Sequence, residues 1–275
     1  MKTIIVPVDF SPASLNAVNY ALDLALAVKA GIALFHVYTF PMPVSEVPVA
    51  PLSIRELLED AEKNMQQLKE GLQHRAGDSI KIYTRVEEGI FAAQLQQYCH
   101  AIQPYAVVMG SFGKSALERV IFGSNTVAAV KNLSAPLLIV PPGTRFTRIS
   151  RIGLACDLLN VTQSVHADKI LSLVKEFGAQ LHVLHITPAR HGLASDEALE
   201  GSEWLREMLE EVKPIFHFMQ HSNVDEAINE FSEKNNIDML IIIPKSHGLL
   251  DGLLHKSHSK QMILHAHIPV MSIHE

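Results

Sequence analysis

Lys2–Ser14 reads KTIIVPVDFSPAS, and Ser150–Thr162 reads SRIGLACDLLNVT. In each, a short apolar run closes on an aspartate, Asp9 or Asp157, and a loop then leads toward a helix. The two aspartates lie about one domain apart. Further landmarks recur in the same order. ALFHVYTF at Ala33–Phe40 is answered by LHVLHITP at Leu181–Pro188, AVVMGSFG at Ala106–Gly113 by LIIIPKSHG at Leu240–Gly248, and SAPLLIVP at Ser134–Pro141 by HIPVMSIH at His267–His274. Two tandem copies of one fold is the economical interpretation.

Within the first copy, hydrophobic period and punctuation predict alternating strands and helices. Strands are expected at Thr3–Pro7, Ile32–Val37, Ile80–Val86, Ala106–Met109 and Leu137–Val140. Ser11 followed by Pro12 predicts a capped helix start, with Gly31 closing that helix. Ser53 and Glu56 form a capping box ahead of Leu57, Leu58, Ala61, Met65, Leu68 and Leu72 at helical spacing. Helices are also expected over Ile90–Ala101 and Ser124–Asn132. Strands alternating with helices predict an open parallel sheet with both faces covered. The second copy repeats this with strands near Ile152–Cys156, Gln180–His185, Ile215–Met219, Met239–Ile243 and Val270–Ile273. Pro141-Pro142-Gly143-Thr144 forbids a continuing element, which sets the expected domains at 1–143 and 144–275.

The chain has 275 residues, 48% of them hydrophobic, enough to build two cores. A formal charge of -6 and the lack of a basic stripe exclude the usual nucleic-acid binders. No apolar run reaches membrane-spanning length and Met1–Val6 leads straight into a strand, so a cytoplasmic location is expected. Cys99 and Cys156 lie in different halves, consistent with two buried thiols rather than a disulfide or a redox pair.

Val107–Asn125, VVMGSFGKSALERVIFGSN, invites comparison with a phosphate loop. Gly113-Lys114-Ser115 supplies the end of G-x-x-x-x-G-K-[ST], but Val108 occupies the position of the first glycine, so the pattern fails on spacing. A different regularity remains: Gly110, two residues, Gly113, nine residues, Gly123-Ser124. Glycines admit close backbone approach, and the N–H groups that open a helix favour an anion. In open α/β sheets ligands bind beyond the carboxyl ends of the strands. Asp9 lies at such an end, where a carboxylate suits either a ribose hydroxyl or the cap of the following helix.

Val6-Pro7-Val8-Asp9-Phe10-Ser11, His36-Val37, and Met109-Gly110-Ser111-Phe112-Gly113 through Gly123-Ser124-Asn125 together resemble the universal stress protein family, as a tandem pair covering essentially the whole chain. The G-x2-G-x9-G-[ST] pattern resembles that of the ATP-binding members. The resemblance implies strand order 3-2-1-4-5 in each domain. It also implies an ATP site, compatible with magnesium, in which Pro7, Val8 and Asp9 line the adenosine side and Val37 lies near the base. Met109, Gly110, Gly113, Gly123, Ser124 and Asn125 would surround ribose and phosphates. It further implies an intramolecular pseudodimer through Leu137–Val140 and Val270–Ile273, and is compatible with a homodimer.

The second copy departs from the pattern, with Pro244 in place of Gly110 and His255-Lys256-Ser257 in place of Phe122-Gly123-Ser124. Proline removes a donor and side chains replace bare backbone, so that domain is expected to be degenerate. Twelve of the fifteen histidines follow residue 150, and His255-x-x-His258 with His265-x-His267 raises a metal reading. Surface or capping histidines are preferred, and no metal ligand is assigned. The proline-rich Phe40–Leu52 connection suits a packed surface segment or a flap over the base. No catalytic residue is assigned. The expected function is an ATP-binding stress-response or signalling module acting through nucleotide-dependent conformation or an unidentified protein partner. The alternatives are a slow nucleotide hydrolase or adenylyl-transfer enzyme, for which Asp9 or Glu118 would hold magnesium, and a structural pseudodimer without ligand.

Overall fold

The structure, a computed structural model, describes residues 2–39, 51–111, 129, 133, 135–158, 167–187, 195–243 and 266–273. Its internal contacts divide the chain into two units, Met1–Phe146 and Thr147–Glu275.

In the first unit the order is β1 (Thr3–Pro7), α1 (Pro12–Val28), β2 (Gly31–Tyr38), α2 (Pro51–Ala76), β3 (Ile82–Glu88), α3 (Phe91–Ile102), β4 (Ala106–Gly110) and β5 (Leu137–Val140). The strands pair in parallel in the order β3-β2-β1-β4-β5. β1, between β2 and β4, is a buried apolar run, as a central strand covered on both faces must be. Among the described residues β3 pairs with β2 alone, and its burial alternates, with Ile82 buried and Tyr83 exposed.

α1 is buried on most of its circumference, with Ala17, Val18, Ala21, Leu22, Leu24 and Ala25 inside. Full burial of each leucine contributes roughly 1.5–3 kcal/mol. Ser11 caps the helix by accepting from the Ser14 N–H at 3.2 Å, and Pro12 fills the first turn. The expected glycine stop is corrected. Lys29 adopts the left-handed conformation at φ 53° and closes the helix onto Ala25, while Gly31 already belongs to β2 and donates to the Lys2 carbonyl at 2.8 Å. The capping box at Ser53 is also corrected, because α2 begins at Pro51 and Ser53 lies within it. Ala61, Met65, Leu72 and Ala76 give α2 its buried stripe. The helix expected at Ser124–Asn132 lies outside the described residues except for Ala129, which is helical and buried.

The chain turns beyond β5, where Thr144 donates to Pro141 at 3.2 Å and Gly143 takes φ 72°. The second unit then repeats the plan. It contains β6 (Arg151–Ala155), α4 (Ala167–Phe177), β7 (Gln180–Thr187), α5 (Asp196–Met208), a 3-10 turn at Glu210–Val212, β8 (Ile215–Gln220), α6 (Val224–Lys234), β9 (Met239–Ile242) and β10 (Val270–Ser272). The order is β8-β7-β6-β9-β10, again parallel, which is the 3-2-1-4-5 arrangement of the first unit. α4 shows why a short helix holds: Ile170, Leu173 and Val174 fall on one buried side and Asp168 opens its first turn.

Candidate functional site

The sequence expectation for the first unit centres on the carboxyl ends of β1 and β4, which lie side by side because Ile4 faces Ala106 and Ile5 faces Val107 in parallel register. This is the point where successive connections leave in opposite directions, the position at which open α/β sheets bind ligands.

Pro7 ends β1, and Val8 extends its ladder by donating to the Phe35 carbonyl at 2.8 Å. Val8 is buried, whereas the next residue, Asp9, is exposed. The Asp9 carboxylate accepts the Ser11 N–H at 3.0 Å, and its backbone N–H donates to Ser14 Oγ at 3.4 Å. Partial burial pushes the Asp9 carboxyl up, but hydrogen bonds from Ser11 and Ser14 outweigh it and hold the group below its ordinary value. A carboxylate held ionised at the start of α1 can accept a ligand hydroxyl and is itself favoured by the helix N-terminus. Both sequence readings of Asp9 therefore coexist in one geometry, because one oxygen caps the turn and a carboxylate has several acceptor positions.

Met109 is buried in β4 and Gly110 is the last residue of that strand rather than the first of the following loop. A Cβ at Gly110 would lie 2.2 Å from the Ala13 carbonyl oxygen and 2.6 Å from its carbon, both backbone atoms that cannot yield. The bare backbone at Gly110 is thus required by the seating of α1 on β4. Asn16 ties the same helix to the next strand end by donating to the Pro141 carbonyl at 3.1 Å. Val37 is half-buried near the carboxyl end of β2, opposite Glu87 of β3. Pro7, Val8, Asp9, Met109 and Gly110 are brought together at one rim, with Val37 on the neighbouring strand. Gly113, Gly123, Ser124 and Asn125 lie outside the described residues, as do Lys114, Glu118 and the proline-rich segment over 40–50.

Two residues at this rim were not singled out as site residues by the sequence reasoning. Phe10 adopts φ 62°, the left-handed region, and its ring lies 5.2 Å from that of His36. His36 Nδ1 lies 2.7 Å from the Val8 carbonyl. A carbonyl only accepts, so Nδ1 is the protonated nitrogen. The signal available in the sequence was recurrence, since His36 on β2 has a counterpart in His185 on β7.

In the second unit, Cys156 N–H donates to the Leu184 carbonyl at 3.0 Å, as Val8 does to Phe35. Cys156, Asp157 and Leu158 therefore stand where Val8, Asp9 and Phe10 stand in the first. His185 Nδ1 is 3.3 Å from the Cys156 carbonyl, and the Leu158 N–H is 3.3 Å from the same nitrogen. Pro244 and His255–His258 lie outside the described residues. Among the described residues no three His, Cys, Asp or Glu side chains converge as metal ligands, and no helix is long and apolar enough to cross a membrane. Burial pushes the Cys99 thiol up to about 12, which makes it an inert core group. The expectation of two buried thiols is corrected for Cys156, which is half-buried.

Comparison with known proteins bears on both units. The model of the universal stress protein family matches residues 1–141 and again 149–274. A universal stress protein from Methanocaldococcus jannaschii is 30% identical over 140 residues, covering 50% of this chain and 81% of that protein. Among solved structures, a universal stress protein from Archaeoglobus fulgidus superposes with TM-score 0.77 at 18% identity, covering 98% of this chain and 97% of its own. A functionally unknown protein from Pseudomonas aeruginosa superposes with TM-score 0.62 at 12% identity over 100% of this chain and 92% of its own. At those identities the two structures establish shared fold alone.

Proposed function

Because this chain belongs to the universal stress protein family, carrying two tandem domains of it, we propose that its first domain binds ATP and that occupancy biases conformation or partner choice in a stress-response or signalling role. The observation that carries this reading is the Asp9 carboxylate, held ionised at the rim between β1 and β4, where the glycine pattern begins. Asp9 would accept from the ribose, Pro7, Val8 and Val37 would flank the adenosine, and Met109, Gly110, Gly113, Gly123, Ser124 and Asn125 would surround ribose and phosphates. Bare backbone N–H groups at the later glycines would supply phosphate donors. Gly110 contributes differently: it allows α1 to sit close enough for Asp9 and the β4 end to share one rim. The second domain, with Pro244 at the matching position, is proposed to lack nucleotide, and the protein to act in the cytoplasm by binding rather than by turnover.

Calorimetric titration with ATP and magnesium tests the assignment. Asp9→Ala is expected to weaken affinity about tenfold, the loss of one charge-assisted hydrogen bond. An unchanged affinity would remove Asp9 from the site, and Gly123→Val without effect would remove the glycine pattern.

A further inference from the structure

We infer that His36 is a positioning residue for this site: through Nδ1 it holds the Val8–Asp9–Phe10 turn in the conformation that presents the Asp9 carboxylate. The inference rests on the ATP reading only for what the carboxylate receives; the positioning itself concerns the turn.

A strained backbone supplies the first reason. Phe10 is not glycine, yet it sits at φ 62°, where the Cβ of an L residue crowds the following carbonyl oxygen. Such a residue persists only when its surroundings over-determine it. Three contacts do so here. Asp9 closes on the Ser11 N–H at 3.0 Å, the His36 ring lies against Phe10 at 5.2 Å with the planes tilted by 50°, and His36 Nδ1 meets the Val8 carbonyl at 2.7 Å. His36 touches the turn on both sides of Asp9, at Val8 by a hydrogen bond and at Phe10 by its ring.

The second reason is the repeat. In the second domain the same strand position carries His185, and its Nδ1 faces the carbonyl of Cys156, the counterpart of Val8. There the nitrogen also lies 3.3 Å from the Leu158 N–H. One nitrogen cannot donate to the carbonyl and accept from the amide at once, so His185 must choose by tautomer. Among the described residues His36 Nδ1 faces one acceptor, the Val8 carbonyl at 2.7 Å, and is committed to it.

The experiment uses the intact chain with His36→Phe, which keeps an aromatic ring and loses the donor, and His36→Asn, whose amide nitrogen takes approximately the place of Nδ1. Two readouts are taken: NMR titration of the Asp9 carboxyl, and ATP affinity by calorimetry. His36→Phe is expected to move the Asp9 titration up toward 3.8, its ordinary value, and to weaken ATP about tenfold. His36→Asn should restore the titration and come within about twofold of the parent in affinity. If His36→Phe does not fold, His36→Gln replaces it, because its amide reaches the Nε2 position and misses the Val8 carbonyl. An Asp9 titration that the Phe or Gln variant leaves in place would overturn the inference and reduce His36 to packing. Should the parent chain bind no ATP, the functional reading fails, while the titration still decides whether His36 positions Asp9.

Discussion

The first-strand turns of the two domains share register and differ in commitment. Val8 and Cys156 donate to the same position on the next strand, Phe35 and Leu184, and a histidine follows each acceptor. In the first domain that histidine bonds one carbonyl at 2.7 Å. In the second it is only 4% exposed, lies 6.1 Å from the Phe218 ring and faces a carbonyl and an amide at equal distance. A duplicated scaffold can therefore keep its hydrogen-bond ladder while the histidine behind each rim is bonded differently. The second domain has invested its histidines elsewhere. His182 and His217 stack 5.2 Å apart with Nδ1 and Nε2 at 3.0 Å, under Phe231 of α6.

The two domains should differ most in the cost of replacing a strand glycine. Gly110→Ala drives a Cβ into the Ala13 carbonyl and is expected to destabilise the first domain by about 3 kcal/mol. In β6, Gly153→Ala meets only side-chain atoms of Leu240, Ile237 and Phe231 at 3.1–3.2 Å, which can give, so its cost should be about 1 kcal/mol. Urea unfolding separates the two, since the one tryptophan, Trp204 in α5, reports the second domain and hydrogen exchange of β1 and β4 reports the first. Equal losses would mean that α1 can lift off β4 freely.

Acid should divide the domains in a second way. Burial lowers His182, helped by His217 and Arg151, and burial lowers His217, helped by Lys234. Their folded values lie below the ordinary 6.5, so the unfolded chain binds more protons just beneath it. Second-domain stability contributed by the pair is complete above 6.5 and declines as the pH falls below it. Asp9 behaves as a depressed carboxylate: its contribution is complete above 3.8 and is lost as the pH falls through its lower folded value. The urea midpoint read by Trp204 should thus fall between pH 7.5 and 5.5, and His182→Phe with His217→Phe should flatten that fall. A pH-independent midpoint in the parent would contradict this linkage to the stacked histidine pair. The smallest effect concerns thiols: under native conditions Cys99 should react with a disulfide reagent at least about tenfold more slowly than Cys156, reversing no other property.

Much of the fold was legible because its signals are local. Apolar runs fixed the strands to within two residues, Ser11-Pro12 fixed the start of α1, and the recurrence of aspartate-ending runs disclosed the duplication. Signals failed where a nonlocal contact decided. Lys29, not a glycine, takes the left-handed stop of α1, since only the return path to β2 demands that conformation. α2 starts ahead of its apparent capping box because helix continues through Ser53. At the site, the pattern placed Asp9 correctly at a strand end, but sequence cannot tell a glycine that admits phosphate from one that admits the Ala13 carbonyl. Phe10 was hidden for the same reason, because its left-handed backbone answers to contacts across two strands that no spacing encodes, and His36 was marked only by its recurrence as His185.

A single nucleotide site, in the first domain, is the proposal on which the rest depends. It is tested by native mass spectrometry of the intact chain equilibrated with ATP and magnesium. One ATP per chain is expected, lost in Gly123→Val and kept in Asp157→Ala. Two nucleotides per chain, or one that survives Gly123→Val and disappears with Asp157→Ala, would contradict it.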